Sequence, residues 1–173
     1  MSEHGFATRK SFEGVRISWN TRASHQRVME NIRSACGRAT IPDLAQLASR
    51  AATADDFAQA VEAKHVGTSG FMIFAEIDHA SWLRVYGYRR ALTRVILGNP
   101  LIAITMMQHD MSAGLFAPVE LLVSECADGT AQITYVQPST LIAIDDQPLL
   151  KQAAQALDEK LADLVSIALI NHG

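Results

Sequence analysis

Toward the end of the chain, Leu150, Ala154, Leu157, Leu161, Leu164, Val165 and Ala168 recur three and four positions apart, with Asp158, Lys160 and Asp163 between them. That spacing predicts a long amphipathic helix. A shorter stripe of the same period, Val28, Met29, Ile32 and Ala35, follows Ser24 as its cap and stops at Gly37. Residues 38–66 read as a separate helical pair. Pro42 suits a first turn, followed by a stripe of Leu44, Leu47, Ala48 and Ala51. Thr53 and Asp56 form a capping box for a second helix carrying Phe57, Ala60 and Val61.

From Phe71 the apolar period drops toward two. Strands are predicted at 71–78, 91–97, 119–125 and 131–137, after a brief first strand at Val15–Trp19. The link 79–86 is a short helix or turn closed by Gly87. Asp128-Gly129 marks a hairpin, whose favoured turn needs positive φ at both central positions. After Gly98, Asn99 caps and Pro100 starts a short helix, with Met106 and Met107 toward the core and His109-Asp110 at its exit. Residues 1–14 are expected to be a flexible tail, and 15–173 one domain. The economical packing is an α+β two-layer fold: one twisted antiparallel sheet with helices on one face, plus the inserted helical pair.

Strand parity sorts the sheet into two faces. Phe71, Ile73, Ala75 and Ile77 join Val119, Leu121 and Val123 on one; Met72, Phe74, Glu76, Glu120 and Leu122 fall on the other. The second face is too apolar to be bare, so the helical pair, a second copy of the chain or a ligand should cover it. Homodimerisation through this face or the sheet edge is the favoured expectation. If Arg94 falls on this face, it can pair with Glu76 or Glu120.

Composition narrows the function classes. Hydrophobic residues make up 49% and charged residues 19% of 173, enough apolar material for a sizeable core. A net charge of -3 without any basic block argues against nucleic-acid binding. No apolar run approaches a membrane span and the N-terminus has no signal-like core, which makes the cytoplasm the default location. Cys36 and Cys126 read as reduced, buried thiols. No CxxC, Walker loop, GxGxxG or GxSxG spacing occurs.

Several stretches, GFMIFAEIDH, ILGNP, LFAPVELLVSE, the Asp-Gly turn and TYVQPSTL, resemble the uncharacterised family called domain of unknown function 302. The resemblance is strongest over about 71–143 and does not take in the helical pair at 38–66. It implies a fold similar to the β-α-β4-α order of the TATA-binding protein, and no established activity.

Candidate chemistry gathers in two places. Glu76, Asp78 and His79 end a strand, where two carboxylates on one side could share a proton or meet a hard cation. Asp78 is better explained as a cap for the residues that follow. His109 with Asp110 could do acid–base work, or His109 could join Met106 as a soft-metal pair; core packing and a charge at the helix end explain both more simply. Trp19, Trp82, Tyr86 and Tyr88 are expected in the core or an interface. Arg94, Asn99 and Met106 are the candidate ligand-binding residues, and no metal or cofactor is expected. The leading expectation is a non-catalytic small-ligand-binding or homodimeric assembly module, with a pocket between the sheet and the terminal helix and with neither nucleic-acid nor membrane partners. The competing one is an enzyme acting on a small metabolite through Glu76, Asp78, His79 and His109 at one end of the sheet.

Overall fold

Six strands form one open sheet in the order β1-β6-β5-β4-β3-β2, in a computed structural model that describes residue 5 and residues 7–171. The expected tail at residues 1–4 and 6 lies outside the described residues. The strands are β1 (Arg16–Thr21), β2 (Gly37–Arg38), β3 (Met72–Asp78), β4 (Leu92–Gly98), β5 (Val119–Glu125) and β6 (Ala131–Val136). Seven α-helices are seen among the described residues: α1 (His25–Ala35), α2 (Ile41–Arg50), α3 (Ala54–His65), α4 (Ala80–Leu83), α5 (Pro100–Met107), α6 (Pro138–Ile142) and α7 (Pro148–Ala168). The fold is α+β.

Two helices lie where their stripes place them. Ser24 caps α1, which buries Val28, Met29, Ile32 and Ala35. The buried residues of α7 are the seven of its stripe. Both pack on one sheet face, in a core with Val95, Leu97, Leu121, Val123 and Ile133.

The sheet itself is mixed rather than antiparallel throughout. β2 runs parallel to β3, pairing Gly37 with Met72 and Arg38 with Ile73. Two residues carry no alternation, so this strand left no trace in the pattern. It exists because the backbone crosses itself here. A methyl group on Gly37 would stand 1.8 Å from the His65 carbonyl oxygen, and one on Gly67 would stand 2.3 Å from the Gly37 nitrogen. Only glycine permits that approach. Both amides donate to the carbonyl of Phe71, at 2.9 and 3.0 Å.

Between these glycines runs the helical pair. The Thr53–Asp56 box is present, and Thr40 with Asp43 makes a second one at the start of α2. Leu47 is buried and Leu44 partly so, but Ala48 is exposed, so the α2 stripe is narrower than its spacing suggested. Leu47 and Val61 close over Met72 in a second apolar cluster. Met72 and its neighbour Ile73 belong to different clusters, which puts the helical pair on the side opposite α1 and α7.

A β-bulge decides which residues share a face. Ile73 pairs with Leu97 and Ala75 with Ile96, so Phe74 is an extra residue in β3. Parity is inverted beyond it. Ala75 and Ile77 move to the second face, while Glu76 and Asp78 join the helix-covered one, opposite Val95 and Thr93. The hairpin also departs from expectation. Gly129 alone has positive φ (83°), and its amide donates to the Cys126 carbonyl at 3.1 Å. This is a type I turn followed by a glycine bulge, the three-residue alternative to the primed turn.

Candidate functional site

Asn99 does two jobs where β4 becomes α5. Its Oδ1 accepts the Leu101 amide at 2.8 Å, and its Nδ2 donates to the Gly70 carbonyl at 2.9 Å. With Pro100 as the first helical residue, this fixes the angle at which α5 leaves the sheet. Gly98 lets Pro118, which follows a cis peptide bond, come within 3.2 Å of where a Cβ would sit. The Gly98-Asn99-Pro100 and Ala117-Pro118-Val119 segments thus wall one pocket of about 170 Å³. Phe71, Phe74, Ala103, Met106 and Leu157 are among the other residues of a lining that is almost wholly apolar. The bulged Phe74 belongs to the second cluster and Met106 to the main core, so the pocket lies where the two meet. It sits between the sheet end, α5, Leu44 of α2 and Leu157 of α7.

A larger groove of about 450 Å³ shares the Pro118–Val119 wall and extends over the second sheet face. Arg94 and Glu120 cross it as an ion pair, with Arg94 Nε donating to Glu120 Oε2 at 2.9 Å. Arg16 lies on its far side. Of the three candidate ligand-binding residues, Asn99 and Met106 line the pocket and Arg94 lines the groove.

The carboxylate and histidine candidates divide between the two ends of the sheet. Arg33 of α1 donates to Glu76 at 3.0 Å through Nε and 2.5 Å through a terminal nitrogen, and Arg38 of β2 adds a contact of 2.5 Å. The Arg33 hydrogen bonds hold the Glu76 carboxyl below its ordinary range, with burial opposing and Arg38 assisting. A carboxylate held this way is a poor proton acceptor near neutrality. Asp78 Oδ1 accepts the Ala80 amide at 2.9 Å from one position ahead of the cap of α4, which is His79 and not Asp78 as its sequence suggested. His79 stacks edge-on against Trp82 at 6.0 Å. His109 is exposed after α5, and α5 follows the far end of β4. Met72 pairs with Gly98 and Asp78 with Thr93, so most of a seven-residue strand, about 20 Å, separates the two groups. Met106 is 1% exposed and packs in the core.

Sequence reasoning did not point to His25. Its Nε2 is buried without a hydrogen-bond partner, and burial lowers its pKa while Glu125 opposes that shift. It lies one position past the Ser24 cap, and nothing local in the sequence marks it. Trp19, Trp82, Tyr86 and Tyr88 are all exposed rather than in the core. Cys36 is buried, with burial raising its pKa, and Cys126 is half-buried; both are free. Among the described residues, no group of three or more His, Cys, Asp or Glu side chains could hold a metal ion, and no helix is long and apolar enough to cross a membrane.

Comparison with known proteins adds a family. Residues 45–168 match the family described as "Domain of unknown function DUF302". The match begins inside α2 and takes in α3, so most of the helical pair lies within it, contrary to the pattern expected from the resemblance. A solved structure, that of an uncharacterized conserved protein DUF302 from Bacillus stearothermophilus, is similar with a TM-score of 0.61 and 15% identity. The similarity covers 88% of this chain and 97% of that one, and at such identity it speaks to the fold alone. No curated protein matches the chain.

Proposed function

The chain belongs to the DUF302 family, and from that premise we propose that it is a non-catalytic, small-ligand-binding domain that works as a homodimer in the cytoplasm. In this reading residues 15–173 act as one domain, with 38–66 as its helical insert. The observation that carries it is the pocket between β4, α5 and α7, walled by both sequence signatures. Its roughly 170 Å³ suit a single aromatic ring or a short aliphatic chain, since a dry cavity of about 150 Å³ accepts benzene. The adjoining groove, with Arg16 at its edge, leaves room for a polar end of the same molecule. The enzymatic reading draws less support, because Glu76 is neutralised by two guanidiniums and His109 lies a strand length away.

Indole serves as a probe. Titrated into protein carrying methyl-labelled methionine, it is expected to shift the Met106 signal and raise the melting temperature. Ala103→Phe, which fills the pocket, should abolish both changes. An unmoved Met106 methyl at saturating probe would remove the pocket as the binding site. Native mass spectrometry of the freshly purified chain reads any retained small molecule and the subunit count together.

A further inference from the structure

We propose that the homodimer forms by antiparallel pairing of β1 with the same strand of a second copy, about a two-fold axis at Ser18, joining the two sheets into one. This rests on the homodimer reading above and says which surface makes it. The two edges of the sheet differ sharply. β2 ends one side with two residues, too short to recruit a partner strand, whereas β1 ends the other with six. Along β1 the register with β6 is unbroken from Arg16 to Thr21, and the strand holds no proline, no bulge and one charge. Such devices normally blunt a free edge, and β1 lacks nearly all of them.

The phase of the ladder fixes which groups face outward. Gln137 donates to the Val15 carbonyl at 2.8 Å, so Val15 turns toward β6, and so do Ile17, Trp19 and Thr21. Arg16, Ser18 and Asn20 then present their amides and carbonyls to the outside. Among the described residues no other element hydrogen-bonds to those groups. With the axis at Ser18, Arg16 faces the partner's Asn20, Ser18 faces the partner's Ser18, and Asn20 faces the partner's Arg16. Each facing pair exchanges two hydrogen bonds. Opposed residues share a face only when the axis passes through a residue, and with outward-pointing Ser18 on the axis five of the six residues of β1, Arg16 to Asn20, are paired within the strand.

Side chains agree with this register. Ile17 stands across from the partner's Trp19, and Trp19 from the partner's Ile17, giving two aromatic–β-branched pairs of the kind that stabilise sheets. Trp19 is 45% exposed in the single chain, which is unexplained for a tryptophan on a strand and is accounted for by this pairing. The strand's one charge, Arg16, meets a neutral asparagine, so no like charges oppose each other.

Sedimentation velocity on the full chain should show a species of twice 18.8 kDa. Ser18→Pro removes one outward amide per copy and no backbone bond to β6, though the exposed contact of the Ser18 hydroxyl with Thr134 goes with it, and proline is tolerated on edge strands. It should weaken dimerisation about tenfold or more while leaving the circular dichroism of the monomer unchanged, and Ser18→Ala, which loses the hydroxyl but keeps the amide, should dimerise like the parent chain. A second test does not depend on that variant folding. In a Cys126→Ser background, S18C should oxidise to a covalent dimer, because facing Cα atoms in such a pair stand about 5.5 Å apart. N20C should not, because its two copies would stand four residues apart, about 13 Å. A monomer at every concentration overturns both the homodimer and this interface. A dimer that ignores S18P and fails to crosslink in S18C keeps the homodimer and overturns the edge assignment.

Discussion

Leu121 and Leu122 are neighbours on β5, yet they live in different surroundings. Leu121 is fully buried in the core that α1 and α7 close, whereas Leu122 faces the groove beside the Arg94–Glu120 pair and is only partly covered. The helix-covered face is apolar almost to its end, where Glu76 is admitted only with two arginines attached. The other face mixes Ile77, Ile96 and Leu122 with Arg94, Glu120, Ser124 and Thr134, and its helices cover the β3 end alone. An apolar residue in a strand is therefore not a core residue until a second layer arrives over it. The surplus of apolar side chains on the second face is divided between the insert, which takes Met72 and Phe74, and the groove.

Substitutions can break that contrast, and the largest effect should fall on the covered face. Leu121→Ala is expected to cost about 3 kcal/mol in chemical denaturation, since it opens a cavity in a closed core. A loss below 1 kcal/mol would mean the two faces are energetically alike. Met72→Ala should cost about 2 kcal/mol, which would show that the cluster under the helical pair is a true second core rather than a surface patch. Glu76→Gln should cost about 1 kcal/mol, because both guanidiniums are half in water. Its pH signature is more telling than its size. The folded pKa of Glu76 lies below its ordinary 4.5, so its contribution is complete above that value and is lost as pH falls through the folded pKa. The acid limb of the stability profile should therefore be shallower in Glu76→Gln than in the parent chain. Smallest of all, Leu122→Ser should stay within about 0.5 kcal/mol of the parent. A larger loss would show that something in solution covers the groove.

Much of the fold could be read in the residues alone, and what could be read was local. The stripes of α1 and α7 name their buried residues correctly because a helical period is set by the helix's own geometry. The Thr53–Asp56 box and the Asn99 cap are equally local. The bulge at Phe74 was not legible, since a single extra residue changes no composition but inverts every side chain after it. Glu76 therefore meets Arg33 and Arg38, 43 and 38 residues away in the chain, rather than Arg94. The pocket followed the same rule. Asn99 and Met106 belong to one local strand-to-helix segment, but Phe71, Pro118 and Leu157 reach the pocket only through the tertiary fold.

The crossing of Gly37 and Gly67 has a consequence of another kind. The chain departs from the sheet and returns to it at a single address, with both amides sharing the Phe71 carbonyl. The excursion between them is a loop whose ends are already in contact, so shortening it asks little further closure entropy of the remainder. A splice that joins the two glycines through a brief turn should leave the long strands paired and strip the cover from Met72 and Phe74. The same junction could carry a foreign helical module, with the sheet as chassis.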